Sequence, residues 1–351
     1  MKPPALARGA AVLIATATAA LVRVGGPAAG PALEIADARA DSLTTGCALR
    51  GSAPAVRGAE LFDAQSGGRV IAKFTGGVVP LTLSGFPADP TQGRARASTS
   101  AGGTQLRVDG FASTSAFQVY TARDLPVAAG HVWIASAQKV RLVGATPTTL
   151  TGEVVVLGST GQTARASGAC DAFTLVRGAP RPIDVPGNGR LYSSKGTELE
   201  LFDRPDGAAV FKLKMTEGAS HLFWSTETRG AWVHVLARAD LVVDAWAKAS
   251  ALEAQKRGEM VDQAAPTQTV VSSAQLAING SAPTLVVATK DTPVRARRDE
   301  KEAPIGALET GGEAYIMETM MGWVNLLPKH LGFQPGDGGG YWVPASELPR
   351  R

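Results

Sequence analysis

One tetrapeptide occurs twice, and it sets the frame for everything else. Glu60-Leu61-Phe62-Asp63 returns as Glu200-Leu201-Phe202-Asp203. Each copy passes through a polar, glycine-bearing turn into an apolar run, Val70–Phe74 in one and Val210–Leu213 in the other. Strand, tight glycine turn and strand make a β-hairpin signature. A second pair follows in the same order, Thr121–Val127 and Ala288–Val294. The first pair is offset by 140 positions (200 against 60) and the second by 167 (291 against 124). The 27 extra positions coincide with a polar stretch over 254–284 that has no β-periodicity and reads as a linker. The repeats predict two copies of a two-module block.

Composition agrees with an all-β reading. The chain is 44% hydrophobic and 19% charged, and its 40 glycines and 22 prolines recur every few residues, as turn-rich β proteins require. The net charge of +4 is spread along the chain, and the densest basic run, Arg295, Arg297 and Arg298, is followed at once by Asp299, Glu300 and Glu302. That is a solvated turn, so nucleic acid is not an expected partner.

The N-terminus carries an export signature. Lys2 and Arg8 precede an apolar stretch from Gly9 to Val22, and small residues follow at Ala28-Ala29-Gly30 and Ala38-Arg39-Ala40. Residues 1–40 are expected to be a signal peptide and disordered leader. No second hydrophobic run follows, so no transmembrane span is expected in the mature chain. The expected location is the periplasm, cell envelope or exterior. The two cysteines, Cys47 and Cys170, bracket the first half of the mature chain; export permits a disulfide between them, and two unpaired thiols are the other reading.

The ends of the units rhyme. Gly110–Phe117, Gly168–Phe173, Asp244–Leu252 and Tyr341–Leu348 are each a small-residue strand carrying an aromatic. Ahead of the last two stand Gly230-Ala231-Trp232-Val233-His234-Val235 and Gly322-Trp323-Val324-Asn325-Leu326. Together with Pro293-Val294-Arg295-Ala296 and Tyr341-Trp342-Val343-Pro344-Ala345-Ser346-Glu347-Leu348, these residues resemble bacterial SH3-like (SH3b) domains. The resemblance is closest over 285–349, fair over 190–253, and carried by repeat logic over 47–122 and 123–178. One departure is the 14-residue segment from Leu327 to Gly340, where the family has a short loop. The resemblance implies tandem small β-barrels of about five strands, with alternate residues filling each interior.

Adjacent residues of a strand face opposite sides, so Tyr341 and Trp342 cannot share a face. One of them is expected outward, as a ligand contact beside Trp323, or else covered by the 327–340 segment. Trp323 itself reads equally as core.

No catalytic pattern emerges. The four histidines, His131, His221, His234 and His330, have no metal-ligand spacing, and the chain holds no HExxH, no G-x-S-x-G and no phosphate loop. The expectation is a non-enzymatic, exported binding protein without cofactor or metal. Its expected partners, which the resemblance implies, are a peptidoglycan peptide or an envelope protein. The alternatives are a secreted enzyme or enzyme inhibitor of unfamiliar type, and a structural spacer in an envelope assembly.

Overall fold

A computed structural model describes residues 46–100, 105–128, 130–183, 189–255, 284–329 and 332–349. They belong to one structural unit. The expected signal segment and most of the expected linker lie outside them. The described residues form an all-β protein of antiparallel sheets with four short 3-10 turns and no α-helix.

Period-two patterning makes the strands. In the strands Arg94–Ser100 and Leu106–Ser113, Ala95, Ala97, Thr99, Leu106, Val108 and Ala112 point inward while their neighbours stay half-exposed. Burial of the large residues of this core, among them Leu61, Ile71, Phe74, Phe86 and Leu83, contributes about 1.5–3 kcal/mol each.

The first segment holds β1 (Ala48–Ala55), β2 (Glu60–Phe62), β3 (Val70–Phe74), β4 (Gly77–Ser84), β5 (Arg94–Ser100) and β6 (Leu106–Ser113). The second holds β7 (Val119–Thr121), β8 (Leu125–Ala128), β9 (Val132–Ile134), β10 (Lys139–Ala145), β11 (Thr149–Val155), β12 (Thr163–Ala169) and β13 (Phe173–Thr174). The third holds β14 (Arg190–Ser194), β15 (Glu198–Phe202), β16 (Ala209–Lys214), β17 (Leu222–Ser225), β18 (Thr228–Arg229), β19 (Trp232–Arg238), β20 (Leu241–Lys248) and β21 (Leu252–Ala254). The fourth holds β22 (Thr284–Val287), β23 (Thr292–Val294), β24 (Gly306–Leu308), β25 (Glu313–Met320), β26 (Trp323–Pro328), β27 (Phe333–Pro335) and β28 (Trp342–Pro344).

One path recurs. The second segment runs β13-β7-β10-β11-β12 and the third runs β21-β14-β17-β19-β20: the last strand returns beside the first, and a three-strand meander follows. The first segment runs β1-β4-β5-β6, with Phe117 bridging Ala55 in place of a last strand. The fourth runs β22-β25-β26-β28. In every segment a hairpin sits between the first two strands of the path: β2–β3, β8–β9, β15–β16 and β23–β24. In every segment the meander ends in a 3-10 turn followed by a buried apolar residue. Phe117, Phe173, Leu252 and Leu348 each donate their amide back to the first residue of that turn.

The two Glu-Leu-Phe-Asp copies are matching hairpins. Both slip register at the same point, between Leu61 and Phe62 and between Leu201 and Phe202. Both reach the end of their own meander, through Phe62 opposite Phe111 and Phe202 opposite Trp246.

The segments share sheets. Strand β9 of the second extends the third along β20, pairing Ile134 with Leu241 and Val132 with Val243. Strand β24 of the fourth extends the first along β6, pairing Leu308 with Leu106 and Gly306 with Val108. Flanking bonds match one for one. Asp244 N–H donates to the His131 carbonyl as Asp109 N–H does to that of Ile305. Ala135 N–H donates to the Asp240 carbonyl as Glu309 N–H does to that of Gln105. The two cysteines are joined, with Cα atoms 5.3 Å apart, so the start of β1 is tied to the 3-10 turn of the second segment.

Candidate functional site

Two strand pairs carry the tryptophans in one arrangement. Trp232 lies opposite Lys248 and His234 opposite Trp246; likewise Trp323 lies opposite Pro344 and Asn325 opposite Trp342. Period-two geometry therefore places both tryptophans of each pair on one face, diagonal to each other.

In the third segment that face turns away from the main core, which Ala245 and Ala247 fill from the other side. Trp232, Trp246 and Phe202 form a separate aromatic cluster, with Phe202 edge-on to Trp232 at 4.9 Å. Cations cover it. Arg229 stands 5.1 Å over Trp246, and Lys248 stands 5.7 Å from Phe202 and 6.0 Å from Trp232. His234 Nε2 bonds Asp244 at 2.7 Å and its ring lies 5.0 Å from that of Trp246. Each contact of this kind contributes on the order of 0.5–1 kcal/mol at a surface.

In the fourth segment, Arg295 stands 5.9 Å from Trp323 and Arg298 5.0 Å from Trp342. The alternation argument holds: Tyr341 faces inward, opposite to Trp342. The expectation of an aromatic open to solvent does not hold. Tyr341 is fully buried and Trp323 and Trp342 are both buried. The 327–340 segment supplies the cover, because β27 runs back over the first segment and Phe333 packs edge-on to Tyr341 at 5.9 Å. The Tyr341 hydroxyl has no hydrogen-bond partner, and burial pushes its pKa well above the usual tyrosine value. Its amide donates to Asn325 Oδ1, which ties the two strands.

Sequence reasoning missed an open apolar feature of this segment. A groove of about 320 Å³ runs beside β22, lined by Leu285, Val287, Ile316, Val324, Leu348 and Pro349. Leu285 and Val287 are 41% and 44% exposed although Val286 between them is buried. An available signal was the apolar run Leu285-Val286-Val287, which has no polar face to offer solvent.

Among the described residues no three His, Cys, Asp or Glu side chains gather to hold a metal ion. His131, in the turn before β9, and His234, on β19, each bond Asp244, the first at its backbone carbonyl and the second at its carboxylate. His221 is half-buried, and burial lowers its pKa against the pull of Asp240. His330 lies outside the described residues. Among those residues no helix is long and apolar enough to cross a membrane. No protein-family model matches the chain, and neither a curated protein nor a solved structure does.

Proposed function

We propose that the chain is an exported, non-enzymatic binding protein of the bacterial cell envelope. In this reading each segment is a small SH3-like barrel, and the four are two copies of a two-module block. The recurring strand path supports the barrels: first strand, hairpin, three-strand meander and 3-10 turn in all four, with a last strand beside the first in two and a single bridge there in a third. The matched pairing of β9 on β20 and of β24 on β6 supports the duplication. The Cys47–Cys170 bond favours an oxidising compartment, weakly.

Binding rests on one observation. Among the described residues, the fourth segment exposes an apolar groove at its first strand, at the place where the other three set down their own chain. An uncovered apolar concavity is the feature a ligand would cover. The ligand class is a cell-wall peptide or an envelope protein. Sedimentation of the mature chain with purified cell wall should enrich it over a control protein of similar size and charge. Equal amounts in both pellets would rule out wall binding.

A further inference from the structure

Deepening that reading, on which it rests, we propose that the groove takes an extended apolar segment of a partner polypeptide as an added antiparallel strand on β22. The molecule itself shows what belongs there. On β7 the position is filled by β13, pairing Phe173 with Thr121, and on β14 by β21, pairing Leu252 with Ser194. Phe117 bridges Ala55 in the first segment. In the fourth, Leu348 is buried directly after its turn like Phe173 and Leu252, but no described strand lies outside β22. Pro349 follows Leu348 and lines the groove. It has no N–H with which to continue a ladder.

The backbone of β22 is set for a guest. Ala288 N–H donates to the Gly312 carbonyl, and Gly311 N–H donates to that of Ala288. Antiparallel pairs alternate between bonded and unbonded, so Val286, opposite Ala314, bonds inward. Leu285 and Val287 then direct their N–H and C=O groups to the open edge, while their exposed side chains offer apolar contact. Such an edge, uncharged and without proline over Thr284–Val287, lacks the usual protections against strand addition.

Charge defines the guest further. Among the described residues, β22 and the groove lining carry no charge; Glu347, next to Leu348, is paired with Lys290, and Glu313, opposite Val287, with Lys329. The guest is therefore uncharged at its centre, with apolar residues at alternate positions.

The test is an amide-resolved NMR titration of the mature chain with an acetylated, amidated peptide of the sequence of residues 171–177, which contains the strand that fills this place on β7. Shifts confined to Leu285, Val287 and the groove are expected, with a dissociation constant on the order of 1 mM for so short a peptide. Val287→Pro removes only an outward N–H, and Leu285→Lys charges the edge. Each should weaken binding at least tenfold while amide shifts elsewhere stay unchanged. Absence of shifts at about 5 mM peptide, or shifts centred on either tryptophan pair, would overturn the proposal. So would a doubling of mass without peptide that Val287→Pro abolishes, since a second copy would then be the guest. The titration contains no wall material, so its failure and a failure of sedimentation are separate results.

Discussion

The same docking is built twice from different side chains. Where the second segment meets the third, Asp124 accepts the Ser136 amide at 2.7 Å and the Arg238 guanidinium at 2.6 and 3.1 Å. Where the fourth meets the first, Asp291 accepts the Thr310 amide at 2.8 Å and its hydroxyl at 2.9 Å. Gln162 reaches the edge of β16 with its side-chain amide, donating to the Lys212 carbonyl and accepting from the Lys214 N–H. At the other junction a whole strand does that work, with β27 paired along β3. The 327–340 segment, which carries β27, is thus the counterpart of one glutamine. Backbone register specifies the docking; the side chains around it are interchangeable.

The largest expected effect comes from the one staple without a counterpart. The Cys47–Cys170 bond closes a loop with a sequence separation of 123 residues across the first and second segments, and the third and fourth hold no cysteine. Replacing both residues with alanine should cost about 3–5 kcal/mol, chiefly by freeing the unfolded chain. Denaturant unfolding of the double variant against the parent measures it. A loss below about 1 kcal/mol would mean that the two junctions hold the first and second segments without help.

The next effect separates the junctions directly. Gly306 and Val132 occupy equivalent positions, one opposite Val108 and the other opposite Val243. A Cβ at Gly306 would lie 1.9 Å from the Arg107 carbonyl oxygen, which is backbone and cannot step aside cheaply. Val132 is fully buried in its own junction. Gly306→Val should therefore destabilise by about 3 kcal/mol, opening β24 from β6. Hydrogen exchange at Val108 and Leu308 should rise while Leu241 and Ile134 keep their protection. Equal exchange at both junctions would break the comparison.

How much of this was legible in the sequence follows from the range of each interaction. The Glu-Leu-Phe-Asp hairpins could be read because a hairpin is local, with turn and alternation within about a dozen residues. The fourth segment stood out because its strands carry Gly322-Trp323-Val324 and Tyr341-Trp342-Val343; the second, whose strand path is as complete as the third's, lacks such tryptophans. The sharing of sheets could not be read. The pairing of Leu308 with Leu106 spans two hundred residues, and neither strand announces a partner. Which of Tyr341 and Trp342 faces inward could not be read for the same reason, because the cover over Tyr341 comes from a segment steered by β3 of the first segment. The turn that ends each hairpin shows how chemistry can hide an equivalence. Ala137 and Gly311 both take positive φ, 63° and 79°, and each donates its amide to the first strand of its segment. A glycine there signals the turn, whereas an alanine conceals it.

The Asp124–Arg238 pair ties the second and third segments, where the fourth and first are tied by other ion pairs, Arg107 with Glu309, Arg69 with Glu302 and Lys73 with Asp337. Burial raises the Asp124 pKa, but Arg238, with the Ser136 amide and hydroxyl, outweighs it and holds the carboxyl below its usual range. A carboxyl depressed in the folded state adds stability above its unfolded pKa of about 3.9, and this is lost as pH falls through the folded value. Below about pH 4, β9 should therefore release from β20 more readily. Arg238→Met should cost about 2 kcal/mol at neutral pH by stranding a partly buried carboxylate. Asp124→Asn should flatten the acid limb of the stability curve. An unchanged acid limb would assign that pH dependence to other carboxylates.

The smallest effect tests whether a side chain can stand in for a strand. Gln162 makes two hydrogen bonds to the backbone edge of β16, and the adjacent Gly158 carbonyl accepts the Thr216 amide. Those groups of β16 sit at the surface, so in Gln162→Ala water takes over their bonding and the cost is only the net worth of two exchanged bonds. That amounts to about 1 kcal/mol, seen as a small drop in unfolding midpoint and faster exchange at the Lys214 amide. Gln162→Glu keeps the acceptor but loses the donor. It also brings a negative charge beside Lys212 and Lys214, which offsets part of the loss, so its midpoint should fall between those of the alanine variant and the parent. If alanine matches the parent within error, the glutamine is incidental. The resemblance between the two junctions would then end at the backbone pairs of β9 with β20 and β24 with β6.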